Sequence, residues 1–155
     1  HFDWVRAKVS ERKRLFDNET PEDNHNWLYS QKTTDNLYLY LANTAKTLLQ
    51  AGFSTIIDAT FLKTEQRNIF RQLAMECNVK FIILDMLASY EELCARIDQR
   101  KKDVSDATIE VLQQQLKIAQ SLSIEEQSYV ITLDTQKDIG YAQLIGKLQS
   151  FSIPN

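Results

Sequence analysis

The chain has 155 residues, 43% of them hydrophobic and 25% charged, the length and composition of one globular domain with a sizeable core and no room for a second full domain. A formal charge of -3 excludes a basic field over the whole surface of the kind that collects a nucleic-acid backbone or anionic lipid, so any anion site is local. No apolar run is long enough to span a bilayer and residues 1–4 lack the pattern of a signal peptide, which makes the cytoplasm the expected compartment.

Residues 2–7 are the weakest of four expected strands, and the basic run Glu11 to Arg14 reads as a solvated helix face. Residues 17–34 are polar, carry Pro21 and exceed the usual connection length, so they form either a binding loop or a flexible insertion. Asp35 is expected to cap a helix with Leu37, Leu41, Ala45 and Leu48 on one face, and Gly52 to stop it in the left-handed conformation. Residues 54–58 (STIID) then form an apolar strand. Thr64 precedes a helix with Ile69, Phe70, Leu73 and Cys77 inward, followed by a strand over residues 80–86 (KFIILDM). Ser89 caps a helix with Tyr90, Leu93, Cys94 and Ile97 inward, and Ser105 or Asp106 caps one with Ile109, Leu112, Leu116 and Ala119 inward. A strand over residues 129–134 (YVITLD) and a helix over residues 139–148 close the chain. Strands alternating with helices in this order predict βαβ units around a parallel sheet.

In such a sheet ligands bind beyond the carboxyl ends of the strands, which singles out Asp58. The run Ile56-Ile57-Asp58-Ala59-Thr60 puts a carboxylate and a hydroxyl where they can hold Mg²⁺ or a water near a phosphate, or position an acceptor hydroxyl. The competing reading is an aspartate that caps the next turn. Asp85 and Asp134 lie at or near their strand ends in the same way. Arg96 and Arg100 project from one helix edge, as a charge-neutralising lid or as a basic face paired with Glu92 and Asp103. Cys77 and Cys94 have no metal spacing and read as buried structural thiols, while His1 and His25 have no partners at metal or triad spacing.

The ordered set Arg12-Lys13-Arg14-Leu15-Phe16, Ala51-Gly52, Ile57-Asp58-Ala59-Thr60-Phe61-Leu62, Arg67, Phe70, Leu73-Ala74, Arg96-Ile97, Arg100, Ser105-Asp106-Ala107, Val111-Leu112 and Gln115 resembles the bacterial P-loop kinase-like ATPases. These AAA-type kinases are related to polynucleotide kinase and zeta-toxin kinases. The resemblance implies a three-layer, doubly wound parallel sheet and an ATP- and Mg²⁺-dependent kinase acting on a small-molecule or similar hydroxyl acceptor. It implies catalytic roles for Asp58, Arg96 and Arg100, and substrate-binding roles for Arg6, Lys8, Arg12, Thr60 and Arg67.

Two departures stand beside it. The chain has three glycines, Gly52, Gly140 and Gly146, and no GxxxxGK followed by Ser or Thr, so the nucleotide's phosphate cradle is not among these residues. Where the family ends its second strand with Arg-Ser-Asp, this chain reads Arg6-Ala7-Lys8. The expectation is therefore one kinase-like α/β domain over residues 1–155, incomplete at its N-terminus, whose partner is a preceding strand and phosphate loop or a fused domain. A catalytically inactive binding or regulatory module is the alternative. A nucleic-acid end-processing kinase is weaker, because it needs a basic groove that the net charge speaks against.

Overall fold

The computed structural model describes residues 31–99, 108–138 and 140–151, and two compact units divide the chain: His1–Phe61 with Glu65–Val79, and Leu62–Thr64 with Lys80–Asn155. In the first unit, α1 (Gln31–Gln50) and α2 (Thr64–Glu76) supply the core. The buried stripe of α1 is Tyr38 and Ala45, flanked by half-buried Leu41 and Leu48, which is the expected face with one addition, Tyr38. Asp35 lies inside α1 and does not cap it, because the helix already runs from Gln31. The face of α2 buries Phe70, Leu73 and Ala74 together with Gln66 and Arg67. Lys46 on α1 reaches Glu76 on α2 at 3.2 Å, an exposed pair that contributes little to stability.

Both helices end in the same backbone device. After α1 the Gly52 N–H donates to Leu49 O and the Phe53 N–H to Leu48 O, both at 3.0 Å, with Gly52 at φ +86°. After α2 the Asn78 N–H donates to Met75 O at 3.1 Å and the Val79 N–H to Ala74 O at 3.0 Å, with Asn78 at φ +53°. These paired bonds satisfy carbonyls that a helix end otherwise leaves bare, and they need a residue tolerant of the left-handed region.

Residues 53–58 have no assigned secondary structure and pair with no strand among the described residues, so the expected strand over 54–58 is not formed there. A parallel strand exists only through hydrogen bonds to a neighbour, which this apolar run does not make among the described residues. The expected strand over residues 2–7 lies outside the described residues.

In the second unit β1 (Ile83–Leu87) and β2 (Val130–Asp134) pair in parallel, Ile83 opposite Val130 through Leu87 opposite Asp134. Between them run α3 (Tyr90–Gln99) and α4 (Ile109–Ile118), the long crossover that a parallel pair requires, and α5 (Tyr141–Ser150) follows β2. Thr108, not Ser105 or Asp106, caps α4, its hydroxyl accepting the Val111 N–H at 3.4 Å. Ser89 caps α3 as expected, accepting the Glu92 N–H at 3.2 Å. Phe81 and Tyr129, 5.8 Å apart, bring together the amino ends of the strands. Leading into β2, a 3₁₀ turn (Glu126–Tyr129) closes on a reciprocal pair: Ser123 N–H to the Glu126 carboxylate at 2.8 Å, and Glu126 N–H to Ser123 Oγ at 3.3 Å. Cys77 and Cys94 are free and only half-buried, not the buried thiols expected. The described residues thus form an α/β arrangement with a small parallel sheet, without the broader three-layer sheet. No helix among them is long and apolar enough to cross a membrane.

A methyl group added at Gly52 would meet nothing within 4 Å, so Gly52→Ala costs only backbone strain. It should lower stability by about 1–2 kcal/mol, and Asn78→Val by at least as much; urea midpoints measure both.

Candidate functional site

The segment after residues 53–57 turns sharply at Asp58-Ala59-Thr60-Phe61, and Phe61 takes φ +46°. For a bulky side chain that backbone state costs on the order of 1–3 kcal/mol, so the surroundings must enforce it. They do so at both polar ends of the residue: the Phe61 N–H donates to the Tyr38 hydroxyl at 2.9 Å, and Arg67 Nη1 donates to Phe61 O at 3.0 Å. Tyr38 Oη also stands 3.4 Å from Thr60 Oγ1. Around these bonds Tyr38, Phe61 and Phe70 form an aromatic triad, with Tyr38–Phe61 and Phe61–Phe70 each 5.3 Å apart and the latter pair at 86°.

The consequence is a fixed turn with an open rim. Asp58, Ala59 and Thr60 are exposed, and the Asp58 carboxylate makes no hydrogen bond or ion pair with the described residues. Behind it an apolar hollow is lined by Leu41, Ala45 and Leu48 of α1 and by residues 55–58. Arg67, 6% exposed, donates to the backbone of the turn, and one helical turn on, Arg71 holds a buried Nε with no acceptor among the described residues.

In the second unit the carboxyl ends of β1 and β2 meet in a dense polar tie. The Thr135 N–H and hydroxyl both donate to Leu87 O at 2.8 Å, closing the ladder one residue beyond the strands. Arg96 on α3 then uses all three guanidinium nitrogens: Nε to Glu92 at 2.7 Å, Nη1 to Thr135 Oγ1 at 3.0 Å and Nη2 to Thr135 O at 2.9 Å. The Ser89 N–H donates to Gln136 Oε1 at 3.1 Å. Asp134 accepts the Gln136 N–H at 3.1 Å and pairs with Lys137 at 2.9 Å. Lys137 beside it, with help from the Gln136 amide, holds the Asp134 carboxyl below its usual range, and Asp134 raises Lys137 in return.

Among the expected site residues, the structure brings together Thr60 and Arg67, both touching the Tyr38–Phe61 clamp, with Asp58 on the same turn. Asp58 belongs to the first unit and Arg96 to the second. Arg6, Lys8, Arg12 and Arg100 lie outside the described residues. Arg96, expected as a lid cation, is bound to Glu92 and Thr135, and Arg67 faces the protein backbone. The residue of this turn's surroundings that the pattern reading passed over is Tyr38. Its signal was its spacing, three before Leu41 and seven before Ala45 on the same stripe. Thr135 carried no local signal, because its partners Leu87 and Arg96 are 48 and 39 residues away. Among the described residues no group of three or more His, Cys, Asp or Glu is arranged to hold a metal.

Compared with known proteins, residues 7–122 match the model of a family described as AAA domain. No curated protein and no solved structure matches.

Replacing Arg96 by Lys removes the fork that joins α3 to Thr135 and should destabilise the second unit by about 1–2 kcal/mol, read as faster amide exchange in β1 and β2. In a carbon-13 titration the Asp134 carboxyl should ionise below the ordinary aspartate value, held down by Lys137 and the Gln136 amide. Because that folded value is depressed, the stabilisation is present above the unfolded value and fades as pH falls through the folded one. The matching Lys137 contribution fades only as pH rises through its elevated value.

Proposed function

The chain belongs to the AAA domain family, and from that premise we propose that it forms the acceptor side of an ATP-dependent phosphotransferase that phosphorylates a hydroxyl on a small molecule. The observation that carries this reading is Asp58: an exposed carboxylate without a partner among the described residues, two positions before the Thr60 hydroxyl, on a turn that the protein holds under strain. A carboxylate in that state can accept the proton of a substrate hydroxyl or orient a bound water, and the strained turn prevents it from collapsing onto neighbouring groups. Thr60, two residues on, offers a second hydrogen-bonding group to the same substrate.

Residues 1–155 do not fit the nucleotide's phosphates by themselves. Such a cradle is made of successive backbone amides in a glycine-rich loop, whereas Gly52 terminates α1 and Gly140 and Gly146 lie at and in α5. In this reading the cradle comes from a further strand and loop that joins the sheet, and among the described residues β1 is paired on one edge only, by β2. When bound, ATP with Mg²⁺ supplies the transferable phosphoryl group and the counter-charge; the contribution of this chain is position and proton acceptance. Arg96 would have to leave Glu92 and Thr135 to serve as a lid cation. In the structure it instead orders the loop at the carboxyl ends of β1 and β2, the edge where ligands of parallel sheets bind. The catalytic part expected of Arg100 and the substrate contacts expected of Arg6, Lys8 and Arg12 belong to the same proposal.

A second reading, a non-catalytic binding module, is favoured by Lys8 where the family has an acid and by the lack of a GxxxxGK motif. Calorimetric titration of the full-length protein with ATP in the presence of Mg²⁺ separates the two. Binding, with turnover that drops about 10²–10⁴-fold in Asp58→Asn, supports the phosphotransferase. The absence of any ATP affinity with Mg²⁺ present rejects it in favour of the module.

A further inference from the structure

Phe61 and Asn78 are the two non-glycine residues at positive φ among the described residues, and their circumstances differ. Asn78 closes a helix, where asparagine is at ease. Phe61 closes nothing: it follows the exposed run 58–60, and its side chain is among the least suited to that backbone state. Strain of this sort persists only where neighbours over-determine it, and it gathers at sites where geometry matters. Here the neighbours can be named. Arg67 holds the carbonyl, and Tyr38 holds the amide while touching Thr60.

The part played by Tyr38 is more specific than packing. Its ring is 3% exposed and would fill the same space without its oxygen. The oxygen adds two things. One lone pair receives the Phe61 N–H at 2.9 Å, and the same hydroxyl stands 3.4 Å from Thr60 Oγ1, where either oxygen can be the donor. A buried tyrosine on α1 thereby holds the backbone of the turn and meets its hydroxyl.

We propose that Tyr38 is a positioning residue, whose hydroxyl bridges the Phe61 amide and Thr60 to hold Asp58 and Thr60 in the arrangement that meets the substrate. What the turn does rests on the phosphotransferase reading; that Tyr38 holds it rests on the bonds themselves. Tyr38→Phe is the matching probe, since it keeps the ring and removes only the oxygen. In the full-length protein, amide exchange at Phe61 should quicken about tenfold in Tyr38→Phe, while β1 and β2 keep their protection. Turnover with ATP and Mg²⁺ should show kcat reduced about ten- to a hundredfold and KM for ATP within about twofold, the signature of a misplaced acceptor group. Unchanged protection at Phe61 overturns the proposal, and so does lost protection with kcat intact. If the unaltered protein shows no turnover, the phosphotransferase reading fails by itself. Exchange at Phe61 then decides the clamp: quickened exchange supports Tyr38 as the holder of the turn, and retained protection refutes it.

Discussion

A phenylalanine in the left-handed region of backbone space cannot remain there on its own account, and the first unit is organised around that constraint. Both hydrogen-bonding groups of Phe61 are taken by side chains from two different helices, the amide by Tyr38 of α1 and the carbonyl by Arg67 of α2. Those side chains are buried, so their polar atoms need partners as much as the turn needs restraint. Each requirement satisfies the other. The aromatic triad of Tyr38, Phe61 and Phe70 packs around these part-buried bonds and links α1 to α2. Asp58 and Thr60 lie on this turn, exposed and outside the core.

The second unit solves a different problem by similar means. Two parallel strands of five residues each form a short ladder, and their ends would fray if left to the ladder alone. At the amino end Phe81 and Tyr129 pack together; at the carboxyl end Thr135 extends the ladder to Leu87 and is then fastened to α3 through Arg96. An arginine suits this task because its planar fork can address a hydroxyl and a carbonyl of one residue while Nε reaches Glu92. The carboxyl edge of a parallel sheet is also where ligands bind, so ordering that loop is compatible with a functional role as well as a structural one.

Much of this was written locally. The stripe on α1, the inward face of α2, the cap at Ser89 and the left-handed stop at Gly52 all follow from periods and from residue types with one conformational use. The stop at Asn78, a residue type that tolerates the same position, was not picked out in the sequence. The resemblance to P-loop kinase-like ATPases rested on an ordered set of short motifs and agrees with the family match over residues 7–122. Local signals misled where they named a residue type without its surroundings. Asp35 looked like a cap but lies within α1, and Ser105 or Asp106 was expected to cap the helix that Thr108 caps, because serine and aspartate are good caps in isolation.

The amino-acid order by itself determined where most helices lie, that α1 stops at Gly52, and that strands fall within residues 80–86 and 129–134, observed at 83–87 and 130–134, because these depend on neighbours within a turn or two of chain. Tertiary structure alone decided the left-handed turn at Phe61, the engagement of Arg67 and Arg96 with protein groups, and the lack of a pairing partner for residues 53–58 among the described residues. Each of those outcomes depends on whether a group many positions away arrives within about 3 Å, as Tyr38 does from 23 residues before Phe61 and Thr135 from 39 residues after Arg96. A hydrogen bond is formed by atoms that meet in space, and no periodicity along the chain records that meeting.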